Sequence, residues 1–177
     1  AFTGAVTITT NDASGTDADV TIDGGTTALD IAASTIDGDL TLTSGHASGI
    51  TDSGTVTVGG NFSATTDANN GVINVGSMAV DGTVALATNG NGAATIVNDA
   101  GLIFAASTVT GALTATATTG NITDTGALTI TGTTTLVTSA NDATITLDTT
   151  TNAFTGAVTI TTNDASGTDA DVTIDGG

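Results

Sequence analysis

The stretch AFTGAVTITTNDASGTDADVTIDGG, Ala1–Gly25, returns without a change as Ala153–Gly177. The chain therefore holds one period of 152 residues and the start of the next. A window that opens and closes inside the same pattern reads as a piece of a longer periodic polymer. Such an internal period dominates any fold assignment, because each repeat is a unit that buries its apolar face only against its neighbours.

Inside that stretch lies a shorter phrase: glycine, any residue, then apolar, polar, apolar, polar. It reads GAVTIT from Gly4, GDLTLT from Gly38, GNFSAT from Gly60, GTVALA from Gly82, GALTAT from Gly111, GTTTLV from Gly132 and GAVTIT from Gly156. Period-2 alternation is the mark of a strand with one buried face. The inward pairs are then Val6/Ile8, Leu40/Leu42, Phe62/Ala64, Val84/Leu86, Leu113/Ala115, Thr134/Leu136 and Val158/Ile160. Most intervals hold a second alternating run (Val20/Ile22, Val56/Val58, Ile73/Val75, Leu128/Ile130, Ile145/Leu147) and a third apolar patch (Leu29/Ile31, Met78/Val80, Ile103/Phe104, Phe154). Three short strands closing after about 22 residues describe one rung of a parallel β-solenoid.

The phrase glycines are 34, 22, 22, 29, 21 and 24 residues apart. Read as one phrase per rung, residues 4–81 form a three-rung unit, 82–155 a second, and 153–177 the start of the next repeat, all in one continuous solenoid segment. The two units are duplicates: AASTIDGDLTLTSGHASGITDSGTVTV from Ala32 parallels AASTVTGALTATATTGNITDTGALTI from Ala105. On this reading surplus residues leave as loop insertions, the largest around Asn11–Asp19. A string of immunoglobulin-like sandwiches is the rival, but its units of about 100 residues do not accommodate so short a recurrence.

Composition supports the strand reading. Thr makes up about a quarter of the chain, and β-branched residues favour the pleated surface over the helix. All 18 acidic residues are Asp, a turn and cap former. Disorder is opposed by 38% hydrophobic content, a positive mean hydropathy of +0.31 and no Pro. Without Cys there are neither disulfides nor thiolate metal sites. No stretch approaches the roughly 20 apolar residues of a membrane span.

The phrases GNITDTGALTITG (Gly120–Gly132), SGITDSGTVTVGG (Ser48–Gly60) and NAFTGAVTITT (Asn152–Thr162) resemble the filamentous-haemagglutinin-like large exoproteins of Gram-negative bacteria. The resemblance implies a right-handed parallel β-helix, export across the outer membrane, and a role as extracellular adhesin or matrix fibre at the bacterial cell surface.

The side chains narrow the chemistry. With no Lys or Arg, a polysaccharide lyase would have only His46 and metal ions to stabilise its anionic intermediate. A carboxylate-pair hydrolase is open to Asp, yet an enzyme site is a single constellation and this chain repeats itself. The expectation is no enzyme and no catalytic residue. His46, in SGHASG, reads as a solvated turn residue.

The segment DASGTDAD places Asp12, Asp17 and Asp19 in the longest interval, repeated as Asp164, Asp169 and Asp171. Hard cations take several oxygens from flexible loops, so these six are candidate Ca²⁺ ligands. The glycine-rich calcium repeat of other solenoids and the EF-hand loop are both missing. Outward Thr7/Thr9, Thr41/Thr43, Ser63/Thr65 and Thr114/Thr116, broken by Ala85/Ala87, are similar to the Thr-x-Thr ladders of ice-binding solenoids.

Seven rungs at about 4.8 Å carry 18 negative charges over about 34 Å, approaching the axial charge density of duplex DNA. Cations should gather on the rod, and nucleic acid and anionic membranes should be repelled. The expected function is a structural segment of a giant secreted fibrous protein: surface filament, adhesin shaft or matrix fibre. The expected partners are other copies of itself, end to end or laterally, and host or surface glycans, with no nucleic acid and no membrane insertion. The alternatives are a calcium-dependent adhesive module and an ice-binding solenoid.

Overall fold

A computed structural model describes residues 2–11, 15, 17–68, 70–165 and 169–177. Every regular element among them is a β-strand, and every strand pairing is parallel. The chain is a β-solenoid, with the strands falling into two sheets of eleven and nine that face each other across one apolar core. Alternation works as the pattern demands: Leu40–Ser44 and Leu113–Ala117 bury every second residue and leave the intervening Thr at the surface. The inward pairs read from the phrases are buried at Leu40/Leu42, Phe62/Ala64, Val84/Leu86, Leu113/Ala115 and Thr134/Leu136. In the third patch the parity differs: Leu102 and Phe104 are buried, while Ile103 faces out at 37% exposure.

The phrases do not stack in one column. Leu40–Ser44, Phe62–Thr66 and Thr83–Ala87 pair in sequence on the larger sheet. The next phrase strand, Leu113–Ala117, lies on the other sheet, over Ala94–Asn98, and carries Thr134–Asn141 and Val158–Asn163 above it. Val6 belongs to this second column too, bridging Ile31. Most coils have one side made by a single long strand and an opposite side broken into two short ones, such as Ile50–Asp52 and Val56–Val58, although in the next coil these two positions are joined in the one strand Ile73–Val80. Twice per repeat the long strand changes sides.

This corrects the expectation of three rungs per unit. The two widest phrase intervals, Gly4 to Gly38 and Gly82 to Gly111, are not long rungs with loops but one and a half coils each. Tracing the ladder from Val6 to its copy Val158 takes seven pairings, through Leu29–Ile31, Ile50–Asp52, Ile73–Val80, Ala94–Asn98, Leu113–Ala117 and Thr134–Asn141. The opposite face, from Val20 to Val172, also takes seven. One full repeat is thus seven coils, and units 4–81 and 82–155 each span three and a half. The coils are unequal: the step from Ala94 to Leu113 is the shortest and that from Ile145 to Val172 the longest. The longest step contains Asp164–Asp171, the copy of the segment expected to hold the extra residues.

The phrase glycine marks a corner where successive coils come too close for a side chain. Gly60 and Gly82 donate their N–H groups to the carbonyls of Gly38 and Gly60, each at 3.0 Å. A Cβ on Gly82 would meet the Gly60 carbonyl oxygen at 2.5 Å, and one on Gly60 would collide with the Asp39 carboxylate. Gly111, Gly132 and Gly156 form the matching stack on the other side.

Candidate functional site

The repeated, chemically specific feature of this molecule is the surface on which one coil stacks upon the next. Most of its hydrogen bonds come from strand ladders, but side chains complete it where strands of unequal length meet.

The two side switches show how. When the long strand Thr83–Ala87 is covered by the short pair Leu102–Phe104 and Ser107–Val109, the gap between them leaves the Leu86 N–H without a backbone acceptor. Ser107 Oγ accepts it at 3.0 Å and donates to the Ala105 carbonyl at 2.9 Å. Ser34 does the same for Ile8 N–H, at 3.0 Å, while donating to Ala32. The motif Ala-Ala-Ser-Thr, which occurs only at residues 32–35 and 105–108, is therefore the sequence of the switch. Thr10 and Thr88 accept the N–H of Asp37 and Thr110 at the far end of each switch strand.

On the opposite side the column Ser34–Ile36, Val56–Val58, Met78–Val80 runs up to Asn98, whose side chain is 1% exposed. Asn98 Oδ1 accepts the Val80 N–H at 2.8 Å, and Nδ2 donates to the carbonyls of Val80 (3.0 Å) and Gly101 (2.7 Å). A side-chain amide thus stands in for a peptide unit. Asn152, equally buried, accepts the Leu128 N–H and donates to Asp124. None of these roles was legible in the sequence, since Ser, Thr and Asn also fill ordinary turns.

Several acidic and amide side chains cap the strands of the next coil. Asp19 Oδ1 accepts the Asp39 N–H at 2.8 Å, Asp39 Oδ1 accepts the Asn61 N–H at 2.6 Å, and Asn61 Oδ1 accepts the Thr83 N–H at 2.9 Å. The candidate ligand Asp19 is thereby a cap on the start of the next coil's strand. Asp17, Asp164, Asp169 and Asp171 are exposed, and Asp171 holds its place through its backbone, receiving Ile145 N–H. Asp12 lies outside the described residues. Among the described residues no three His, Cys, Asp or Glu side chains converge as a metal site would require. No described Asp is buried.

His46 is exposed, and its Nδ1 accepts the Ser48 N–H at 3.0 Å, as a turn residue would. It borders an open depression of about 520 Å³ shared with Phe2, Thr3 and Asp30. Phe2 is 41% exposed there, whereas its copy Phe154 pairs with Ile130 and packs on the core. The depression thus occupies the place that a preceding coil fills around the second copy.

The side switches also divide the Thr ladder. Thr41/Thr43, Ser63/Thr65 and Ala85/Ala87 line one sheet; Thr114/Thr116, Thr135/Val137 and Thr159/Thr161 line the other. No helix is long and apolar enough to cross a membrane.

The family described as Repeats of unknown function (DUF5649) matches residues 3–74 and again residues 91–161. The chain belongs to this family. The match to residues 3–74 takes in the first side switch, from the Gly4 phrase to Thr35, while the match to residues 91–161 begins after Thr88 and takes in only the covering half of the second, with Ser107 and Thr110. No curated protein and no solved structure matches the chain.

Proposed function

We propose that this segment is a structural shaft: part of a secreted, fibrous repeat protein that serves at a bacterial surface as filament, adhesin stalk or matrix fibre. The observation that carries this reading is the whole number of coils per repeat. Because one repeat makes seven coils, each copy of the sequence meets its neighbour in the same orientation, and a rod of any length keeps the same faces. The mechanism is stacking, with each coil supplying strand edge and apolar surface to the next.

Self-association follows from the same surface. Val158, Ile160 and Val172 are 37–42% exposed, while the identical residues Val6, Ile8 and Val20, with a further coil above them, are half-buried against the core. The free edge of a second copy is its first coil, where Phe2 is likewise exposed at 41%, and that coil can cover these residues. Glycans at the cell or host surface are the further partners this role implies. A surface without Lys or Arg gives trypsin-like proteases no cleavage site, which suits an extracellular location.

Electron microscopy and fibre diffraction of arrays with one, two and three repeats test the reading. Unbranched rods with an axial spacing of about 4.8 Å, lengthening by about 34 Å per repeat, are expected. Globular beads, or lengths that do not scale with repeat number, would overturn it.

A further inference from the structure

The turn between the two long strands of the second switch, Thr88–Ala93, reads TNGNGA and stacks on the turn that contains Asn70. Three Asn–Gly pairs meet there: Asn70–Gly71, Asn89–Gly90 and Asn91–Gly92. In such a pair the glycine, lacking Cβ, lets the main-chain nitrogen approach the preceding side chain. We propose that Asn89 is a self-modification site, deamidating by attack of the Gly90 nitrogen in the folded rod ahead of Asn70 and Asn91.

The geometry separates the three. The Gly90 N–H donates to Asn89 Oδ1 at 2.7 Å, a bond that holds the side chain folded back over its attacker, with the amide carbon one carbonyl bond length, ~1.2 Å, from that oxygen. Asn89 and Gly90 are both exposed, so water and hydroxide reach the nitrogen. At Asn70 the side-chain oxygen is turned away to accept the Asn91 N–H at 2.8 Å. The Gly71 N–H points to the Ala68 carbonyl and not to its neighbour's side chain, and Gly71 is buried. At Asn91 the following Gly92 is likewise buried, with its N–H donated to the Asn89 carbonyl at 3.1 Å.

The step needs only water. The Gly90 nitrogen bonds to Asn89 Cγ, the Cγ–Nδ2 bond breaks, and ammonia leaves with the proton that Gly90 gave up. Water then opens the five-membered succinimide at either carbonyl, leaving Asp or its β-linked isomer at position 89. No electron changes hands. The Asn89 Nδ2 bond to the Asp67 carbonyl, 3.3 Å in the native turn, is lost, and a carboxylate appears one coil above Asp67. The β-linked product also adds a methylene to the main chain between Thr83–Ala87 and Ala94–Asn98, the two strands that make the switch.

The test is to age the folded 177-residue chain in mildly alkaline buffer and follow each Asn–Gly pair by mass spectrometry after cleavage on the N-terminal side of Asp, with fragment ions locating the converted residue. Asn89 should convert severalfold faster than Asn70 or Asn91. In strong denaturant the three rates should converge. Conversion of Asn70 or Asn91 as fast as Asn89 in the folded chain would overturn the proposal, and so would the same order of rates in folded and unfolded chains.

Discussion

Thr134 occupies an inward phrase position, fully buried, between Leu113 below and Val158 above, and its Oγ1 has no hydrogen-bond partner. A hydroxyl held dry and unpaired costs about 1–3 kcal/mol. Thr134→Val keeps the shape and removes the polar atom, so chemical denaturation should show a gain of about 1 kcal/mol. Asn98 is the opposite case. Its three hydrogen bonds satisfy backbone groups that no strand reaches, and Asn98→Ala would leave Val80 N–H and two carbonyls unpaired in the interior. A loss of about 3 kcal/mol is expected by the same measurement.

At the scale of the strand and its corner, glycine sets how closely coils approach. Gly60→Ala places a methyl against the Gly38 main chain at 2.8 Å and should lower stability by about 1–3 kcal/mol. Gly76→Ala meets nothing within 4 Å and should leave the melting temperature unchanged. Thermal melts of the two variants check the contrast. The strands themselves were legible, because alternation of Leu40, Leu42 and Leu113, Ala115 with Thr dictates one buried face. Their stacking order was not. A wide gap such as Gly4 to Gly38 can be a coil with a loop or a coil and a half, and spacing alone treats the two alike. The distinction lies in Ala94–Asn98 and Val20–Asp23, alternating strands that occupy a full side of the coil directly after a phrase. It lies also in Ser34 and Ser107, whose hydroxyls matter only once a strand gap exists. The cap made by Asp19 was hidden for a similar reason: a short acidic side chain in a turn suits a cation and a main-chain N–H equally.

For the whole molecule, charge opposes compaction. A net −18 with no cation of its own means that self-repulsion is relieved only by counterions. Raising ionic strength toward 1 M, where the screening length falls to about 3 Å, should raise the melting temperature. The shaft reading further expects a calcium chelator to leave the melting curve and the rod morphology unchanged; a drop in melting temperature or unbundling of rods on chelation would promote the Asp164–Asp171 segment to a functional site.

The closure of one repeat on seven coils bears on inheritance as much as on architecture. Tandem copies of identical sequence are prone to unequal exchange, which deletes or duplicates them. In most proteins the gain or loss of so long a segment is ruinous. Here it returns the chain to the same face, the same column and the same corner, so the gene can lengthen or shorten its product in whole copies while every surviving junction stays native.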